Sequence, residues 1–204
     1  MYKEIIKWVI AIISQPGKAW DMLSRKEEKG DEFLSRFIYP LIGLVTVAAF
    51  LGVLFTRKEF DVELALKSSI KTLVASFGGF YLGAYLLNEA WQGLFKREKD
   101  MKLCQRFVGY SSSLMFALNV VLMLLPEFFF LRIFILYTFY IVWEGAGPYM
   151  QVEEKERLKF AGITTVIILL TPAASATRIS NSARLSASTS SPSNSPRRPG
   201  KRSA

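Results

Sequence analysis

Histidine is absent from this 204-residue chain, and cysteine occurs once, at Cys104. The first absence removes the side chain that most often works as an acid or base near neutral pH and is the commonest zinc ligand; the second excludes an intrachain disulfide. No Gly-Lys-Ser or Gly-Lys-Thr loop is present to cradle a phosphate. The run Ser111-Ser112-Ser113 has no histidine to activate it, and a serine–lysine pair would need a lysine brought in from another segment. Glu153, Glu154 and Glu156 are flanked by Lys155, Arg157 and Lys159 and read as helical salt bridging. The inventory points away from an enzyme and implies no metal and no cofactor.

Charge is also missing from long stretches. The chain is 51% hydrophobic and 14% aromatic with a mean hydropathy of +0.26, although 21% of its residues are charged. The apolar residues must therefore be gathered into blocks. The formal charge of +9 is mostly a property of the end: six Lys or Arg and no acid follow residue 175, which leaves 20 bases against 17 acids before it. That tail has no aromatic residue to stack bases, so nucleic acid is not an expected partner.

A bilayer core about 30 Å thick takes about 20 apolar helical residues to cross. Five segments approach that length: Phe37–Phe55, Thr72–Leu87, Phe107–Leu125, Phe128–Trp143 and Phe160–Thr177. The expected fold is an all-α, polytopic transmembrane helix bundle of five spans. Pro126-Glu127 leaves room only for a tight turn, so the third and fourth spans should form an antiparallel hairpin. Lys and Arg outside the spans fall fifteen to five in favour of the segments on the N-terminal side of the membrane, which places the N-terminus in the cytoplasm.

Before the first span, Lys3 to Ile13 reads as an interfacial amphipathic helix, with Lys3, Glu4 and Lys7 toward water and Ile5, Ile6, Val9 and Ile13 toward lipid or the bundle; an ordinary packing helix docked on the bundle is the alternative. Trp8 and Trp20 are expected at headgroup depth. From Ala173 onward Ser, Ala, Arg, Pro and Asn dominate, a composition that cannot repay ordering entropy. A break of this kind inside a span is also what a shifted reading frame produces. Three regions follow: a cytoplasmic N-terminal region 1–36, a transmembrane domain 37–177 and a disordered basic tail 178–204.

Several short motifs occur in a telling order. They are Gln15-Pro16-Gly17-Lys18-Ala19-Trp20, then Tyr39-Pro40-Leu41, Tyr81-Leu82-Gly83, Gly109-Tyr110-Ser111 and Gly147-Pro148. In this order, with five spans, the chain from about Ile5 to Pro172 resembles the Yip domain family, small membrane proteins named for members that interact with Ypt/Rab GTPases. The resemblance implies a five-helix membrane bundle with a cytoplasmic N-terminus. The long N-terminal arm of many eukaryotic members is missing, and the short arm is similar to that of prokaryotic members, which implies a multi-pass protein of the bacterial inner membrane.

Helices in lipid associate through small residues at four-residue spacing. Ala75, Gly79 and Gly83 form one such ridge, Gly109, Ser113 and Ala117 a second, and Ala48 with Gly52 a shorter third. Packing within the chain is the simpler reading, and a homo-oligomer seam the alternative. Lys71, Glu89, Arg132 and Glu144 are the ionisable groups near the spans, each within about a turn of a span end and read first as snorkelling to the interface, and Asn119 is the amide well inside a span, read first as bonding a neighbouring helix. Cys104 lies beside Lys102 and Arg106, a setting for palmitoylation or a lowered thiol pKa, although a bystander thiol is the simpler reading. The expected partners are the lipid bilayer and either a membrane protein or a second copy of the chain. The function expected is that of a scaffold or adaptor, with a small transporter or channel subunit as the alternative.

Overall fold

The computed structural model describes residues 2–26, 32–56 and 62–189, with side chains except for Thr56 and those after Pro172. All regular structure among the described residues is helical. Helix α1 (Tyr2–Ser14) buries Ile5, Val9 and Ile12. Pro16 then opens α2 (Pro16–Ser24), where a fixed φ and a missing N–H cost nothing at a first helical position. A π-helical turn (Leu34–Ile38) runs directly into α3 (Tyr39–Thr56).

Helix α4 (Val62–Phe95) has 34 residues, about 51 Å by the helical rise, so it extends well past the apolar run Thr72–Leu87 at both ends. It stops at Lys96, whose left-handed φ of 52° turns the Arg97 N–H back onto the Trp91 carbonyl at 3.3 Å. Asp100 starts α5 (Met101–Ser111) by accepting a hydrogen bond from the Leu103 N–H at 2.9 Å.

The third apolar segment is not one straight helix. Helix α5 and helix α6 (Ser113–Leu124) meet at 41° across Ser112. Backbone bonding continues through the bend, from the Ser112 N–H to the Val108 carbonyl and from the Phe116 N–H to the Ser112 carbonyl. The bend falls within three successive serines, Ser111 to Ser113, all of them buried.

A turn at Leu125 and Pro126 makes the expected hairpin, closed by the Phe128 N–H on the Leu125 carbonyl at 3.2 Å. The return limb is a 3₁₀ helix over Pro126–Leu136 before it becomes α7 (Tyr137–Ala146). A 3₁₀ helix rises about 2.0 Å per residue, so this limb reaches farther than an α-helix of the same length.

Helix α8 (Glu154–Thr189) continues through Pro172 to residues where disorder is expected. Nucleation is the costly step of helix formation, and Ala, Ser and Arg extend a packed helix at small cost. The rest of the basic tail, 190–204, lies outside the described residues.

Three helical stretches, Leu34–Phe55, Val62–Phe95 and Pro126–Ala146, are long and apolar enough to cross a membrane, and the bent α5/α6 pair makes up to a fourth. Helix α4 is central and packs most extensively on α8 and α3. Beyond the level of Phe37, aromatic rings fill the core: Trp20 stacks on Phe107 at 4.9 Å, Phe33 lies against Tyr110 at 4.9 Å, and Phe160 meets both Trp91 and Phe95 edge-on.

Candidate functional site

Helix α2 and helix α7 are locked together by Trp20. Its indole is completely buried and donates to the Ile141 carbonyl at 2.9 Å. A buried indole needs one acceptor and a large apolar cavity, and α7 supplies both by leaving Gly145 bare. A Cβ at Gly145 would stand 2.5 Å from the Trp20 ring. The carboxylate of Glu144 lies beside Gly17 in the first turn of α2, where a helix end favours negative charge. Tyr149, just after Gly147-Pro148, closes over Trp20 at 5.1 Å.

The other motifs pair in the same way. The hydroxyls of Tyr39 and Tyr81 meet at 2.9 Å, tying α3 to α4. Gly109 has no room for a Cβ, which would approach the Phe33 ring to 2.5 Å. Gly79 faces the backbone of Pro172, with 3.0 Å available to a Cβ, and Gly83 faces Thr171 at 3.3 Å. Gly52 lets α3 meet the Met123 backbone of α6. Ser113 is fully buried, while Ala75 and Ala117 are half-buried. The bend at Ser112 divides Gly109 from Ser113, so the second ridge spans two helices.

Between α3, α4, α6 and α8 lies a groove of about 300 Å³, whose polar lining residues are Ser68, Lys71, Thr72, Ser76 and Asn119 and whose apolar walls include Val45 and Met123. Ser68, Thr72 and Ser76 recur every four residues and share one face of α4. Ser76, Asn119 and Pro172 also border a smaller cavity of about 30 Å³, reaching Ser112 and Thr171. Pro172 lacks an N–H, so the Ile168 carbonyl in that wall has no helical donor. Below it Leu87, Trp91, Phe107 and Phe160 are buried, and the core is closed.

Of the five polar positions singled out in the sequence, the structure brings Lys71 and Asn119 to this groove and separates the others. Glu89 pairs with Lys99 at 2.6 Å. Arg132 is exposed among Phe129, Phe130 and Ile133 on the 3₁₀ limb. Cys104 is buried, its thiol directed at Asn88 Oδ1 at 3.9 Å, so the palmitoylation reading lacks an accessible sulfur. Lys155 pairs with Glu153 at 2.9 Å, which holds the Glu153 carboxyl below and the Lys155 ammonium above their usual ranges. The sequence reading passed over Ser68, Thr72 and Ser76, whose four-residue spacing was the available signal. Among the described residues no cluster of acidic or sulfur side chains is suited to a metal.

Apolar helices able to cross a bilayer, joined through bare glycines and buried aromatic pairs, define a polytopic helical membrane protein. The chain matches the Yip1 domain over residues 10–176, and it belongs to that family. No curated protein and no solved structure matches it.

Proposed function

We propose that this protein is a membrane-organising scaffold or adaptor without catalysis, set in the cell membrane by five spans with its N-terminus in the cytoplasm. The fifth span in this reading is the first part of α8, from Phe160 onward, where Ile163 to Leu170 is the strongly apolar run. The observation that carries the proposal is the double apolar character of α1. One stripe, Ile5, Val9 and Ile12, is docked on the bundle, whereas Tyr2, Ile6 and Ile10 on the adjoining face are more than half exposed. Lys3 and Lys7 occupy the far side. Such a helix is held by the bundle at one face and by acyl chains at the next, the arrangement expected of an interfacial element.

The test is reconstitution into vesicles with an environment-sensitive fluorophore at single introduced cysteines. Labels at positions 6 and 10 should report an apolar setting and be quenched by a lipid-soluble quencher, and labels at 3 and 7 should not. With rising protein-to-lipid ratio, the native chain should narrow the vesicles more than an Ile6→Ser, Ile10→Ser variant does. Equal vesicle diameters would remove α1 from the function.

The groove at Asn119 favours a second reading, a small transporter or channel subunit. It shares Ser76, Asn119 and Pro172 with the smaller cavity, and Leu87, Trp91, Phe107 and Phe160 beyond are buried, which supports the scaffold over a conduit.

A further inference from the structure

The depth of Lys71 follows from the register of α3 against α4. The helices are antiparallel and Tyr39 meets Tyr81, so equal counts along each place Lys71 level with Ala49. The groove agrees, since Val45 lines it together with Ala75, its counterpart in that register. Ala49 lies six residues inside the end of the apolar run at Phe55, about 9 Å by the helical rise. A lysine at that depth is costly unless its charge is answered. Lys67, one turn away, is answered by Glu63 at 2.5 Å. Lys71 has no acidic partner among the described residues, and no carboxylate lines its groove. The other polar residues lining the groove are Ser68, Thr72, Ser76 and Asn119, whose three hydroxyls and one amide are able to donate to an anion.

We propose that this groove binds the phosphate of an anionic amphiphile, with Lys71 supplying the charge and Ser68, Thr72, Ser76 and Asn119 the hydrogen bonds. A lysine acts on phosphate as a point charge, and hydroxyl and amide donors fix its orientation. The volume of about 300 Å³ admits a phosphate with part of its ester substituents, whereas the neighbouring cavity of about 30 Å³ holds no more than a water. The inference stands whether or not α1 shapes membranes, because it rests on different residues and a different readout.

The experiment is thermal unfolding of the purified chain in a nonionic detergent with three additives: dihexanoylphosphatidylglycerol, dihexanoylglycerol and inorganic phosphate. The phospholipid should raise the midpoint saturably, and dihexanoylglycerol, which lacks phosphate, should not. Lys71→Gln should weaken the half-saturating concentration tenfold or more, with Lys71→Arg retaining most of it and Asn119→Leu intermediate. Saturation by inorganic phosphate at similar concentrations, with the same loss in Lys71→Gln, would assign the site to a free phosphate and leave the phosphate reading intact. Equal stabilisation by dihexanoylglycerol, no saturable effect of either phosphate compound, or an unchanged response in Lys71→Gln would overturn the proposal. Lys71 is exposed, so its variants should fold, and their midpoint without additive checks that they do.

Discussion

Adding one methyl group at Gly145 tests the packing account most directly. An alanine there would bring its Cβ within 2.5 Å of Trp20 Cε2 and 2.8 Å of Nε1. The indole cannot retreat, because it is fully buried, stacked on Phe107 and bonded to the Ile141 carbonyl. Overpacking of this kind costs about 1–3 kcal/mol. Trp20→Leu should also destabilise, by about 2–5 kcal/mol, through lost burial and the missing N–H bond. Leucine has no atom at the Cε2 and Nε1 positions that meet Gly145, so the two changes should offset one another. The double variant is expected to be at least about 1 kcal/mol more stable than the sum of the single losses. Helicity followed by circular dichroism during heating in detergent reads this without depending on tryptophan emission, at about 2–4 °C per kcal/mol for a chain of this size. Losses that add to within about 0.5 kcal/mol would refute the contact between α2 and α7 as described.

Other predictions concern different interfaces. Gly83→Leu should force α4 away from Thr171 and α8 and lower stability by about 1–3 kcal/mol, and an unchanged melting curve would mean that this face meets only lipid. Tyr39→Phe and Tyr81→Phe should each cost about 0.5–1.5 kcal/mol, and the double variant little more than either, since one hydrogen bond is lost in all three. In a Cys104→Ser background, an impermeant thiol reagent should label a cysteine at Glu127 from outside intact cells and reach Arg97 or Lys155 positions only after permeabilisation. The reverse pattern would invert the proposed topology.

Apolar run length revealed the helical class, the hairpin at Pro126 and four of the five expected segments, three as span-capable helices and one as the bent α5/α6 pair, because burial in lipid imposes a composition that local sequence displays. Long-range fit was not legible. Trp20 has the composition of an interfacial anchor, and only the bare surface of Gly145, 125 residues away, shows that it is enclosed. The bend at Ser112 falls within the serine triplet, and hydropathy averages over it. Helix α4 outran its apolar stretch because Glu63, Lys67, Glu89 and Gln92 are good helix formers, whatever their polarity. Lys71 and Asn119 were legible as polar positions near membrane depth. Their meeting was not, since it depends on the register between α3 and α4.

The length of α4 divides the interior between two solvents. Its first two-thirds lie alongside α3, where lipid surrounds the helices and bare contacts such as Gly79 on Pro172 hold them. Its last turns, with Trp91 and Phe95, pass the level of Phe37 and join Trp20, Phe107 and Phe160 in a buried aromatic cluster, which the proposed placement of the spans puts on the water side of the membrane. Expulsion from water drives that cluster together, whereas it contributes nothing between helices already in hydrocarbon. Urea or cooling should therefore loosen the aromatic end before the lipid-embedded half, and denaturation should occur in two stages. The detergent chosen for purification would act chiefly on one stage and the aqueous buffer on the other.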